Sequence, residues 1–143
     1  MRRQKIILLV EDDLGDIDLI REAMKQAEAV TALEVVPDGV QAIEYLRRVG
    51  PYAGAVRPDV ILLDLNLPKK DGREVLREIK GDPDLRSIPV ITFSTSSAES
   101  DIRASYRLGA NCYISKPLGL NQFVNAIRAI QHFWFTVAQL PPR

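Results

Sequence analysis

Several features that often define a function are missing from this sequence of 143 residues. Its single cysteine, Cys112, excludes an internal disulfide, and the early apolar run Ile6–Val10 is too short for a signal peptide or a membrane span. Nineteen basic and nineteen acidic residues cancel, and no block of five like charges occurs, so the charge gives no indication of nucleic-acid binding. We therefore expect a cytoplasmic protein that binds neither membranes nor nucleic acids directly.

Two further absences narrow the class of protein. No glycine-rich loop is followed by Lys-Ser or Lys-Thr, so direct nucleotide hydrolysis has no support. The length allows one substantial hydrophobic core and is too short for two, so a separate effector domain is not expected.

Short apolar stretches alternate with segments of helical periodicity along the whole chain. Stretches that are apolar on both faces and alternate with helices are typical of a parallel sheet covered on both sides. The sequence therefore predicts an α/β fold with a doubly wound, five-stranded parallel sheet. The predicted strands are Ile6–Val10, Leu33–Val36, Val60–Leu63, Val90–Phe93 and Cys112–Ile114.

The intervening segments carry helix signals. Asp38 is predicted to cap a helix that runs through Arg48, and Ser96 with Glu99 fits a capping box for a later helix. The last helix is expected from Leu120 onward. Helical spacing marks the first helix at Ile17, Ile20, Met24 and Ala27.

Carboxylates follow two of the predicted strands. Asp64 ends the third strand, and the first strand runs directly into Glu11, Asp12 and Asp13. If these strands are parallel neighbours, the acids crowd one edge of the sheet, where repulsion is tolerable only with a bound cation or shifted pKa values. Ligands of doubly wound sheets bind at this edge. The sequence therefore predicts a functional site there.

Ser94 and Lys116 also follow predicted strands, and each of these residues, like the acids, has a simpler interpretation. Asp12 or Asp13 could be only a helix cap, Ser94 could cap a helix, and Lys116 could be a solvated loop lysine. The joint occurrence of acids, a hydroxyl and a lysine at the same end of four strands favours a site instead.

The ordered motifs resemble the receiver domain of two-component response regulators over residues 5–130. This resemblance implies the flavodoxin-like strand order 2-1-3-4-5. The motifs are Val10-Glu11-Asp12-Asp13, the segment from Leu62 to Pro68 with Asp71-Gly72, the segment from Pro89 to Thr95, and the segment from Gly109 to Pro117.

The resemblance implies a role for each site residue. Asp64 would accept a phosphoryl group from a sensor histidine kinase. Mg²⁺ would be held by the carboxylates of Asp12 and Asp64 and the backbone carbonyl of Asn66, with Glu11 reaching it through water. Lys116 would bind a phosphoryl oxygen.

The family resemblance also implies a switch. Ser94 would hydrogen-bond the phosphoryl group, and Tyr113 would turn inward when that hydroxyl moves. The bond between Lys116 and Pro117 is expected to be cis, which would aim the lysine inward. The segment Gly50-Pro51-Tyr52-Ala53 and the aromatic ending resemble single-domain regulators of phytochrome-type histidine kinases.

Residues 131–143 are expected to extend the last helix beyond the domain. Phe123, Ile127, Ile130, Trp134 and Val137 form an apolar stripe, and Phe133 and Phe135 add apolar surface outside it. These aromatics could fold back over the domain, but exposed aromatic clusters more often mark interfaces. We therefore expect a homodimer through Phe133, Trp134 and Phe135.

Two other functional classes remain as alternatives to a non-enzymatic signalling domain. One is a Mg²⁺-dependent phosphatase or phosphotransferase with a strand-end aspartate nucleophile, although such enzymes usually place a second acid where Asn66 stands. The other is a receiver-like scaffold that no longer takes phosphate, although no site acid and no site lysine is missing.

Overall fold

The computed structural model describes residues 4–26 and 31–142. Five strands form one parallel sheet in the order β2-β1-β3-β4-β5, which confirms the predicted fold and strand order. The strands are β1 (Lys5–Val10), β2 (Thr31–Val36), β3 (Val60–Leu63), β4 (Val90–Ser94) and β5 (Cys112–Ser115).

Helices alternate with the strands and cover both faces of the sheet. They are α1 (Leu14–Lys25), α2 (Gly39–Arg47), α3 (Gly72–Gly81), α4 (Glu99–Arg107) and α5 (Leu120–His132), with a 3₁₀ turn at Gly50–Tyr52 and a π-helical segment at Phe133–Val137. No helix in the described ranges is long and apolar enough to cross a membrane.

Alternate strand residues build two separate cores. Leu8 and Val10 of β1 pack with α2 and α3 on one face, while Ile7 and Leu9 pack with α1 and α5 on the other. Because β1 and β3 are central and have helices on both sides, all four residues of Val60–Leu63 are buried. The buried centre of the sheet therefore carries the strand ends with the acids.

The helix ends match the sequence predictions in part. Asp38 caps α2 by accepting a hydrogen bond from the Gln41 amide, as predicted, and the helix ends one residue before Arg48. The prediction of a capping box that begins at Ser96 is wrong, because Ala98 is the N-cap of α4 and makes no side-chain cap hydrogen bond. Ala27 lies outside the described residues.

The predicted apolar stripe of the last helix does not extend to its last residue, so that part of the prediction is wrong. Phe123, Ile127 and Ile130 are buried, but Val137 is exposed. The change from α-helix to π-helix at Phe133 alters the rotation per residue, so the four-and-three spacing no longer keeps one face inward.

Candidate functional site

Four neighbouring strands end at one edge of the sheet, as predicted for the site. Val10 pairs with Leu63, so the next residues of the two strands, Glu11 and Asp64, leave the sheet at neighbouring positions. The Asp64 amide donates to the Val10 carbonyl (3.1 Å). Ser94 pairs with Ser115 at the ends of β4 and β5, which brings Lys116 to the same edge.

The acids form a compact oxygen cluster. One carboxylate oxygen from each of Glu11, Asp12 and Asp64 lies within 4.8 Å of the others; Glu11 and Asp64 are buried, whereas Asp12 is exposed. An all-oxygen set with one member open to solvent fits a hard divalent cation that keeps part of its water shell. These three residues could therefore hold a metal ion.

Lys116 is buried among these acids. Its Nζ lies 3.1 and 3.2 Å from the two Glu11 oxygens, 2.8 Å from Asp16 Oδ2 and 3.7 Å from Asp64 Oδ2, and 5.9 Å from the centre of the Phe93 ring. It hydrogen-bonds Glu11 and Asp16, while Asp64 lies beyond hydrogen-bond distance.

Asp16 was not predicted as a site residue. It lies in the first turn of α1, where Asp13 is the N-cap and accepts a hydrogen bond from the Asp16 amide (3.0 Å). Helical side chains lean toward the N-terminus of their helix, so a third-position acid leans toward the strand end. That geometric signal was available in the sequence once Asp13 was taken as the cap.

Burial and mutual repulsion alter the acidity of the cluster. Burial, followed by the negative charge of Asp64, raises the pKa of Glu11 to about 8 despite the opposing effect of Lys116. Burial also raises the pKa of Asp64, against the charge of Lys116 and hydrogen bonds from the Leu65 and Asn66 amides. Both shifts favour the protonated form of the acid concerned, and the larger effect is at Glu11.

The environment stabilises the charged form of Lys116, whereas it destabilises the charged forms of Glu11 and Asp64. Burial lowers the pKa of Lys116, but the hydrogen bond to Asp16 and the charges of Asp64 and Glu11 outweigh it, so the pKa is raised overall. The lysine therefore carries its positive charge throughout the neutral range.

The loop after β3 approaches the site closely because of Gly72. A Cβ at this position would lie 2.3 Å from the Asp64 carbonyl oxygen and 2.6 Å from Leu65 Cα. The Gly72 amide donates to the Leu65 carbonyl (2.8 Å), and Asp71 caps α3 through the Arg73 amide. The Asn66 side chain, in this loop, is exposed.

Ser94 and Tyr113 meet at Ser96. The buried Ser94 hydroxyl accepts from the Ser96 amide (3.2 Å), and the half-buried Tyr113 hydroxyl donates to the Ser96 carbonyl (2.8 Å). The Ser96 hydroxyl in turn donates to Asp101, which Arg73 of α3 also binds (2.7 Å). Ser96 and Asp101, which were not predicted as site residues, link the two residues predicted as the switch to α3 and α4.

The backbone corrects one prediction at this edge. No peptide bond in the described ranges is cis, so the bond between Lys116 and Pro117 is trans and the prediction of a cis bond is wrong. Trans is the favoured isomer even before proline. Lys116 points into the acid cluster with this geometry.

The predicted interface residues lie beyond α5, away from the acids. Phe133 is 50% exposed and packs edge-to-face on Trp134 (5.2 Å between ring centres). Trp134 and Phe135 are half-buried against the core under α1 and α5. Part of the aromatic surface therefore folds back on the domain.

Comparisons with known proteins agree with this geometry. The family model of the response regulator receiver domain matches residues 7–128. Response regulator Rcp1 of Synechocystis sp. is 46% identical over 137 residues, which cover 96% of this chain and 93% of Rcp1. The crystal structure of Mn²⁺-bound Rcp1 superposes with a TM-score of 0.92 at 46% identity, covering 96% of this chain and 99% of that one.

Two further solved structures are similar over nearly the whole chain. The phosphorylated cyanobacterial phytochrome response regulator RcpA gives a TM-score of 0.94 at 52% identity, covering 98% of this chain and 100% of that one. The bacteriophytochrome response regulator RtBRR gives 0.77 at 44%, with coverages of 98% and 86%. The chain therefore belongs to the response regulator receiver domain family of two-component signalling proteins.

Proposed function

We propose that Asp64 accepts a phosphoryl group from a phosphohistidine of a phytochrome-type histidine kinase. The observation that carries the proposal is the arrangement of Lys116 Nζ 3.7 Å from Asp64 Oδ2 within a cluster of three carboxylates. The kinase class is inferred from the similarity to RcpA and RtBRR, which are named as phytochrome and bacteriophytochrome regulators.

The residues support an in-line transfer. A carboxylate oxygen of Asp64 attacks phosphorus, the oxygen–phosphorus bond forms as the phosphorus–nitrogen bond breaks, and the imidazole leaves with the bonding electron pair. Lys116 supplies a positive charge to a phosphoryl oxygen, and Ser94 can donate a hydrogen bond to another. Positioning and charge compensation of this kind account for most catalysis of phosphoryl transfer.

We propose Mg²⁺ as the metal of this site. Asp12 and Asp64 would contribute carboxylate oxygens, the Asn66 backbone carbonyl would contribute a third ligand, and Glu11 would reach the ion through water, as in the family motif. When bound, the ion neutralises charge on the transferring phosphoryl group.

We further propose that the protein signals by protein–protein contacts in the cytoplasm, without an enzymatic activity of its own. Residues 5–130 would form the receiver domain and residues 131–143 an extension that supports a homodimer through Phe133, Trp134 and Phe135. The half-buried edge strand β5 and the exposed Phe133 support this surface. The balanced charge of the chain supports partners other than nucleic acid.

Phosphotransfer from a purified phytochrome-type kinase tests the main proposal. We expect label from radioactive ATP to reach the protein only with Mg²⁺, and to be lost in Asp64→Asn because the nucleophile is removed. Asp13→Asn is a matched control, since Asn is also a good helix cap and Asp13 accepts the hydrogen bond of the Asp16 amide as the cap of α1. Label that reaches Asp64→Asn at the wild-type rate would contradict the assignment.

A further inference from the structure

Lys116 forms its shortest ion pair with a residue that the proposed chemistry does not use. Asp16 Oδ2 lies 2.8 Å from Nζ, closer than either oxygen of Glu11 and about an ångström closer than Asp64. The lysine side chain is 6% exposed and that of Asp16 23%, so this pair is only weakly screened by solvent.

The surroundings leave the ammonium group few other positions. Its hydrogen bonds go to Glu11 and Asp16, and the Phe93 ring lies on a further side, 5.9 Å from Nζ. Asp16 itself is anchored, because its amide is bound by the α1 cap residue Asp13. Lys116 is therefore held toward α1, and Asp64 receives its charge without a hydrogen bond.

We propose that Asp16 is a positioning residue that competes with the phosphoryl group for Lys116. A phosphoryl oxygen on Asp64 can bind Nζ only if the lysine gives up or weakens the ion pair with Asp16. Breaking that pair costs free energy only in the phosphorylated state, so Asp16 lowers the occupancy of that state. This inference rests on the proposed phosphoacceptor role of Asp64.

Substitution of Asp16 by asparagine isolates the effect. Asn keeps the size of the side chain but removes its charge, so Lys116 should be released toward Asp64. Asp18→Asn is the matched control, because it removes the same charge from an exposed position of α1. Asp16→Ala serves as a second variant if Asp16→Asn does not fold.

The probe is beryllofluoride, which mimics a phosphoryl group on a carboxylate, titrated by calorimetry at saturating Mg²⁺. We expect Asp16→Asn to bind it about fivefold more tightly than wild type, as for the loss of one partly buried competing ion pair, and Asp18→Asn to bind as wild type does. A crystal structure of metal-free Asp16→Asn should show Lys116 Nζ nearer to Asp64 than 3.7 Å.

The outcomes separate this inference from the proposed function. If wild type binds and Asp16→Asn binds equally or more weakly, the competition is refuted while the role of Asp64 stands. If Asp16→Asn and Asp18→Asn tighten binding equally, a general field effect replaces the ion pair and the inference is overturned. If neither wild type nor the variants bind or become phosphorylated, both proposals fail.

Discussion

Buried charge dominates the chemistry of individual residues at the site. Glu11, Asp64 and Lys116 lie together at one edge of the sheet with little access to water, and the lysine also faces Asp16 as a third acid. Such a cluster is unfavourable unless a proton or a cation compensates the surplus negative charge. The raised pKa of Glu11 is the sign of that imbalance.

This imbalance predicts that the metal-free protein loses stability as the pH rises. Glu11 has a pKa of about 8 when folded and an ordinary value of 4.5 when unfolded, so the folded state binds more protons between these values. The raised pKa of Asp64 acts in the same direction. We expect the free energy of unfolding in EDTA to fall by on the order of 2 kcal/mol between pH 5.5 and pH 8.

Urea unfolding at the two pH values measures this slope, and Glu11→Gln is the informative comparison. Its side chain does not titrate, so the dependence on pH should become much smaller. A wild-type protein that is equally stable at both pH values, or more stable at pH 8, would show that the cluster is not strained by charge.

The sequence revealed some site residues more readily than others. Glu11, Asp64 and Lys116 directly follow strands, so strand position alone places them at the edge. Asp16 is on a helix; the cap at Asp13 indicates that it leans toward the strand end, but its contact with Lys116 also depends on how α1 packs on the sheet, which no local pattern specifies. Ser96 contacts Ser94 and Tyr113 through main-chain groups, which residue identity does not encode.

At the scale of elements, the junction between β3 and α3 leaves no room for an added side-chain atom. Gly72 allows the first turn of α3 to touch the backbone that carries Asp64. The neighbouring atoms are main-chain atoms, so they cannot move aside as a flexible side chain could. The position of Asp64, the proposed phosphoacceptor, therefore depends on a residue without a side chain.

We expect Gly72→Ala to reduce the free energy of unfolding by about 1–3 kcal/mol, because the added methyl group would overlap the Asp64 and Leu65 backbone. Gly81→Ala, at the other end of α3, is the control; no atom lies within 4 Å of its added Cβ, and alanine favours helix. Chemical denaturation of both variants tests the difference. Equal stability of the two variants would contradict the steric argument.

The last helix shows where periodicity ceases to predict an element. Spacing of four and three residues identified Phe123, Ile127 and Ile130 because α5 is regular there. The π-helical turn that follows changes the residues per turn, and Val137 is turned to solvent. Hydrophobic spacing does not distinguish an α-helix from the start of a π-helix.

For the molecule as a whole, strand order and layer arrangement were predictable because they depend on many residues at once. Apolar strands alternating with helices favour a doubly wound sheet, and the resemblance of the motifs supplied the order. The path of the ending was not predictable, because the same aromatics could cover the core or a second subunit. The structure uses Trp134 and Phe135 partly for the core and leaves Phe133 half exposed.

We expect the proposed homodimer to depend on Phe133. Truncation of an aromatic anchor at an interface typically costs on the order of 2 kcal/mol or more, so Phe133→Ala should be monomeric at micromolar concentration by light scattering. Phe133 is a cleaner test than Trp134, whose truncation would also affect the core. Leu118→Ala removes an exposed apolar side chain next to the site lysine and should leave the dimer intact. A monomeric wild type, or a dimeric Phe133→Ala, would reject the surface.

The position of Trp134 also determines which part of this protein intrinsic fluorescence can monitor. It is the single tryptophan of the chain, and α5, about 20 Å long at 1.5 Å per residue, separates it from the loop that carries Lys116. Its half-buried indole ring, packed on Phe133, should change emission when the ending is displaced or a second subunit covers it. Intrinsic fluorescence is therefore a selective reporter of the carboxyl-terminal end. Binding of a metal ion or beryllofluoride at the acid cluster is better followed by calorimetry or by magnetic resonance.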